Sequence, residues 1–168
     1  MMLARNGKIL VFLVIFFISI AVDQVTKALV SALMDPGSSI TLIPHVLSIT
    51  YTRNTGAAFG LFAGSGQIVF WSALVIVVLM LIWFYSAHPQ KNIWSFIALG
   101  LMMGGAVGNL VDRIFRGRVV DFIDLGWWPV FNMADLAIVA GVIILIVVIV
   151  LEVTGRDVKD GEKSGGDG

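Results

Sequence analysis

The sixteen residues from Leu136 to Leu151 carry no charge and no strong hydrogen-bonding side chain. A run of this kind, completed by its polar end, approaches the roughly 20 residues of helix that cross a bilayer core. Hydrocarbon offers no partner to backbone N–H and C=O groups, so such a segment must satisfy them within itself, as a helix does. The run opens on "FNMAD", which puts a carboxylate, Asp135, at its mouth. An Asp at the membrane boundary costs free energy unless something uses it.

Three further segments have the same character: Ile9 to Val22, continued by "DQVTKALVSALM"; Ile68 to Ala87; and about Asn92 to Val111. The fourth runs from about Met133 to Leu151. Composition agrees, with 58% hydrophobic and 13% charged residues, against about a quarter charged in a soluble domain. The expected fold class is an integral membrane protein, mainly α, with four transmembrane helices. The formal net charge is zero, so no basic field points to nucleic acid. There are no cysteines, which removes disulfides, thiol nucleophiles, thiolate zinc sites and lipidation of the chain's own cysteine. His45 and His88 are far apart and lack metal-ligand spacing. Any catalysis must rest on carboxylates, hydroxyls, Lys or Arg.

The opening "RNGK", an apolar run and "SIA" together look like a cleavable signal peptide. Helical patterning continues without a break through Asp23 and Lys27 to Asp35-Pro36-Gly37, which suits a retained span better. Arg5, Lys8, Lys91, Arg156, Lys159 and Lys163 would face one side and Lys27, Arg53, Arg113, Arg116 and Arg118 the other. Both termini are placed in the cytoplasm, because the first helix usually dominates orientation. Residues 1–154 then form one membrane domain. The polar, Gly-rich tail 155–168 is expected to be disordered. A loop of about residues 35–67 faces outward. Within it "LSITYTR", Leu47 to Arg53, alternates with the period of a half-buried strand, and "NTGAAFG" follows. The other outward loop, "FRGRVVDFIDLGWWPVFN", carries a β-branched pair at Val119-Val120. A small sheet on the outer membrane surface is expected, with Trp127 and Trp128 at headgroup level.

Three constellations could carry chemistry. Asp23 and Lys27 lie at i, i+4 on one helix face, as a charge-neutralising pair or as support for a site. In "GGAVGNLVDR", Gly104, Gly105 and Gly108 permit close helix approach. Asn109, Asp112 and Arg113 share a face, with Arg113 either snorkelling beside Asp112 or offering its planar fork to a carboxylate or phosphate. Finally, Asp121 follows a strand-like run and Asp135 opens a helix that Asn132 could cap. Two carboxylates in a partly dry site tend to share a proton, which holds an acid and a base ready at one pH. By spacing alone Asp124 is a competing partner.

The motifs "DQVTK", "RNTGAAFG", "GGAVGNLVDR" and "RVVDFID…WPVFNMAD" occur in this order. The chain thereby resembles lipoprotein signal peptidase, also called signal peptidase II, over about Asp23 to Asp135. The resemblance implies an aspartic peptidase of the bacterial inner membrane, with four helices, a small extracytoplasmic β-cradle and a site near the extracytoplasmic face. It implies cleavage of prolipoproteins before a diacylglyceryl-modified cysteine, no metal and no cofactor, and sensitivity to the cyclic peptide globomycin. The expected partners are the prolipoprotein substrate, membrane lipid and a globomycin-type inhibitor, and the chain is expected to act as a monomer. The family's catalytic pair falls on Asp121 and Asp135, and its supporting polar residues on Asp23, Lys27, Asn54, Asn109, Arg113 and Asn132. One Asp would deprotonate a water between the pair while the other protonates the carbonyl oxygen and later the leaving amine.

Other classes make different demands. A small transporter with a carboxylate proton relay would place ionisable groups near the midplane of several spans, whereas here they gather at the outward ends. An inactive lipoprotein chaperone would tolerate loss of Asp121 or Asp135. A metal hydrolase built on Asp112, Asp121, Asp124 and Asp135 would lose activity in chelator.

Overall fold

A computed structural model describes residues 5–54 and 92–164. Its elements are α1 (Arg5–Leu33), β1 (Ser39–Ile43), β2 (Leu47–Asn54), α2 (Ile93–Arg116), β3 (Val119–Asp124) and α3 (Met133–Ser164). Among the described residues, three helices are long and apolar enough to cross a membrane: Asn6–Leu33, Ile93–Arg116 and Met133–Glu152. Four spans were expected from sequence. The remaining one, Ile68 to Ala87, lies outside the described residues, as does "TGAAFG". The protein is thus a mainly helical, multi-pass membrane protein with a small sheet.

Helix α2 packs against both α1 and α3, which touch each other little. Glycine makes this close packing possible. A Cβ on Gly105 would collide with the backbone oxygen of Ala134, and one on Gly108 would lie 2.6 Å from Asp23 Oδ2. The outward faces of α1 and α3 stay apolar, with Leu10, Phe17, Val25, Val139, Ile143 and Ile146 exposed. That is the pattern of a surface solvated by lipid rather than water. The backbone of α3 remains helical to Ser164, through most of the Gly-rich stretch whose composition points to a disordered tail.

The sheet is antiparallel, in the order β1-β2-β3. The expected strand Leu47 to Arg53 is β2, and Val119-Val120 opens β3. Tyr51, Val120 and Phe122 form its buried core, against which Val30 and Met34 from the end of α1 and Met133 of α3 pack. Gly117 ends α2 in the left-handed region, φ 69°, which glycine enters without steric cost. The chain therefore turns from α2 into β3 within two residues. Beyond β3 it folds back: Phe131 N–H donates to the Ile123 oxygen at 3.1 Å, and the Phe131 oxygen accepts from Phe122 and Ile123 N–H. This bridge delivers Asn132 and the start of α3 to the flank of Asp121.

Candidate active site

The two carboxylates come from different elements and meet at Asn132. Asp121, on β3, is buried and only 3% exposed. Its Oδ1 accepts from Asn132 Nδ2 at 2.6 Å and its Oδ2 from Asn54 Nδ2 at 3.0 Å. Asn54 can reach because it sits diagonally across the β2–β3 ladder, where Thr52 is the residue opposite Asp121,. Asp135 is the third residue of α3. Its Oδ2 accepts from the Asn132 backbone N–H at 3.1 Å, while Asn132 Oδ1 accepts from the Asp135 N–H at 3.1 Å. This reciprocal pair has the form of a capping box, with Asn and Asp in place of Ser and Glu. The expected cap at Asn132 is present, and it also fixes the place of Asp135.

Amide orientations around the pair are dictated by a cation. Lys27 has only donors to give. Its Nζ lies 2.8 Å from Asp23 Oδ2, 3.0 Å from Asp112 Oδ2 and 2.8 Å from Asn109 Oδ1. With Asn109 Oδ1 turned toward Lys27, its Nδ2 faces the other way and donates to Asp135 Oδ1 at 2.9 Å. Asn109 Oδ1 also accepts from Asn132 Nδ2 at 3.1 Å. Both hydrogens of the Asn132 amide are thus committed, one to Asn109 and one to Asp121. Asp23 contributes separately, since its Oδ1 accepts the free Ala134 N–H of the first turn of α3 at 2.9 Å. Among the described residues no buried side-chain nitrogen or oxygen lacks a hydrogen-bond partner, as burial demands.

The surroundings of Asp121 act on its carboxyl. Burial pushes the Asp121 carboxyl up to about 6 and the charge of Asp135 pushes the same way, against the lowering pull of Asn54, Asn132 and Lys27. Asp135 sits at a helix N terminus, where the dipole favours negative charge, with the Arg113 guanidinium in electrostatic contact.

Other residues fall in different places. Arg113 does not pair with Asp112 as the spacing suggested. Arg113 Nη1 donates to the Asn109 oxygen at 3.2 Å, and Arg116 takes Asp112, one helical turn away. Asp124 accepts from Thr50 Oγ1 at 2.7 Å and from Gly126 N–H at 2.8 Å, which ties it to the sheet and its turn rather than to the pair. Among the described residues no group of three or more His, Asp or Glu side chains is arranged to hold a metal. Sequence reasoning passed over Gln24 and Arg116. Gln24 Nε2 donates to Asp23, Asp112 and the Gly108 oxygen, and Arg116 Nη1 donates to Gln24 Oε1. The i, i+4 spacing of Asp112 and Arg116 was the signal for one further contact, their ion pair. Nothing in the sequence announced the rest.

A cavity of about 300 Å³ opens beside Asp135, lined otherwise by Leu125, Trp127, Trp128, Phe131, Leu136 and Val139. One carboxylate thus borders an apolar hollow at the end of a membrane-spanning helix.

Comparison with known proteins identifies the family. The family described as Signal peptidase (SPase) II matches residues 15–151. The chain is 45% identical over 137 residues to a lipoprotein signal peptidase of Syntrophomonas wolfei, covering 82% of this chain and 91% of that one. It is 40% identical over 157 residues to the Staphylococcus aureus protein of the same name, covering 90% and 91%. A solved bacterial membrane enzyme superposes with a TM-score of 0.76 at 34% identity, over 90% of this chain and 92% of that one. The chain belongs to the signal peptidase II family, whose members are aspartic peptidases.

Proposed function

We propose that this protein removes the signal peptide from diacylglyceryl-modified prolipoproteins, cleaving before the lipidated cysteine with Asp121 and Asp135 as its acid–base pair. The observation that carries this reading is the coupling of two carboxylates through Asn132 beside an apolar cavity. A substrate whose acyl chains stay in hydrocarbon while its peptide bond meets water needs that combination. Each buried CH₂ contributes about 0.8 kcal/mol, so the lipid both binds the substrate and sets the depth of the scissile bond.

The upward shift of Asp121 favours it as the holder of the shared proton. Asp135 then takes a proton from a water between the pair, and the water oxygen attacks the scissile carbonyl carbon. Asp121 gives its proton to the carbonyl oxygen, forming a neutral tetrahedral diol. On collapse the C–N bond breaks, the proton on Asp135 passes to the leaving nitrogen, and a diol proton returns to Asp121. The products are a signal peptide ending in a carboxyl group and a lipidated cysteine with a free amino group. Asn54, Asn109, Asn132, Asp23 and Lys27 hold the pair, and Arg113 positions the substrate backbone or lipid linkage beside it. The setting is the bacterial inner membrane. Both termini are cytoplasmic, the site lies at the extracytoplasmic face, and the monomer is active. A globomycin-type cyclic peptide blocks turnover.

The test is purified protein with a diacylglyceryl-modified prolipoprotein, following the released signal peptide. Asp121→Asn and Asp135→Asn should each lose at least ~10² in rate, while Asp124→Asn stays active. Equal turnover of unlipidated precursor, or an active Asp121→Asn, refutes the reading.

A further inference from the structure

Asp112 is fully buried and makes no hydrogen bond to either proposed catalytic carboxylate. Its Oδ2 accepts from Lys27 Nζ at 3.0 Å and from the Val120 backbone N–H at 3.1 Å. Its Oδ1 accepts from Gln24 Nε2 at 3.3 Å and pairs with Arg116 Nη1. Four donors from α1, α2 and β3 thus converge on one carboxylate. Val120 immediately precedes Asp121. In the turn that leads there, nothing lies within 4 Å of where a Cβ on Gly117 would be.

We propose that Asp112 is a positioning residue for Asp121. By holding the Val120 N–H, it fixes the point at which β3 departs from α2. That sets the Asp121 carboxyl at 2.6 Å from Asn132 and, through Asn132, its place relative to Asp135. Only a carboxylate suits the position. Both oxygens are occupied by donors, so an amide would turn an N–H₂ group against another donor whichever way it faced. The same carboxylate also balances Lys27, whose contact with Asn109 orients the amide that donates to Asp135. The proposal rests on Asp121 and Asp135 being the catalytic pair.

Two variants test it, with steady-state kinetics on a diacylglyceryl-modified prolipoprotein in detergent. Asp112→Asn exchanges one of the two acceptor oxygens for a donor and removes the charge. Replacing the Val120 amide by an ester, through incorporation of the α-hydroxy acid of valine, removes the donor and leaves every side chain intact. A misplacement of about 1 Å costs on the order of 10²-fold. Both variants should therefore lose ~10- to 100-fold in kcat with KM unchanged, the mark of an interaction made only in the transition state. Asp121 is faced by Asp135, Lys27 and Arg113, so its displacement should also move a limb of the pH–rate profile. A smaller amount of folded enzyme would scale the profile without moving it. Wild-type kcat and an unmoved profile in the ester variant overturn the proposal, as does a rise in KM at constant kcat. If Asp112→Asn does not fold, the ester variant alone decides. Asp121→Asn separates the two levels. Inactive Asp121→Asn beside a fully active ester variant sinks only the role of Asp112, whereas active Asp121→Asn removes the catalytic pair and this proposal with it.

Discussion

Asn132 does two jobs that substitution can separate. Its Oδ1 caps α3 through the Asp135 N–H, and its Nδ2 donates to Asp121 and Asn109. Asn132→Ala abolishes both. Loss of an N-cap costs about 1 kcal/mol, and leaving buried acceptors without a donor adds ~1–3 kcal/mol. Asn132→Ser keeps an oxygen at the cap but cannot reach Asp121 and Asn109 together. Thermal unfolding in detergent should therefore find Asn132→Ser about 1 kcal/mol more stable than Asn132→Ala. The processing assay should find both strongly impaired, on the order of 10²-fold, because either change releases Asp121 relative to Asp135. Asn132→Asp offers a third comparison. It retains a good cap but sets an anion against Asp121, so turnover should fall at least as far as in Asn132→Ser. Wild-type turnover in Asn132→Ser would refute the idea that Asn132 registers the two carboxylates. Equal stability of the Ser and Ala variants would refute the capping argument.

Lys27→Met leaves Asp23 and Asp112 buried without the cation between them, and should cost ~3–5 kcal/mol. Urea unfolding in mixed micelles reads this, and a loss below about 1 kcal/mol would show that Arg116 alone balances both acids. Gly105→Ala drives a methyl group into the Ala134 oxygen; it should destabilise by ~1–3 kcal/mol and lower activity, since Ala134 adjoins Asp135. An unchanged Tm would mean that α2 and α3 separate freely. The folded Asp121 carboxyl binds its proton more tightly than the unfolded one, at about 6 against 3.8. Its contribution to stability is therefore complete below the unfolded value and is lost as pH rises through about 6. At about 1.4 kcal/mol per unit the loss is of order 3 kcal/mol at most. Unfolding free energy measured from pH 4 to 8 should fall across that window in the wild type and not in Asp121→Asn; parallel curves would place the shift elsewhere.

The membrane class, the three described spans, the strands β2 and β3 and the family were legible in the chain itself. Apolar runs of bilayer length such as Leu136 to Leu151 have one solution in hydrocarbon, and period-two alternation at Leu47 to Arg53 names a strand wherever it packs. Spacing also gave the contacts within a single helix, as at Asp23 and Lys27 and at Asn132 and Asp135, because helical geometry alone brings those residues together. It misled at Arg113, since Asp112 has potential partners at both i+1 and i+4, and only the turn-spaced Arg116 can reach across the helix face. Which carboxylate faces which was a different kind of question. Asp121, Asp124 and Asp135 are equivalent to any rule of spacing, and the fold distinguishes them. The Phe131 bridge carries Asn132 beside Asp121, and strand alternation leaves Asp124 to Thr50. Burial then raises Asp121. The convergence of Gln24, Lys27, Arg116 and Val120 on Asp112 was likewise invisible. Donors from three elements can share one carboxylate only after those elements have packed, and a linear sequence fixes the donors without fixing where their elements meet.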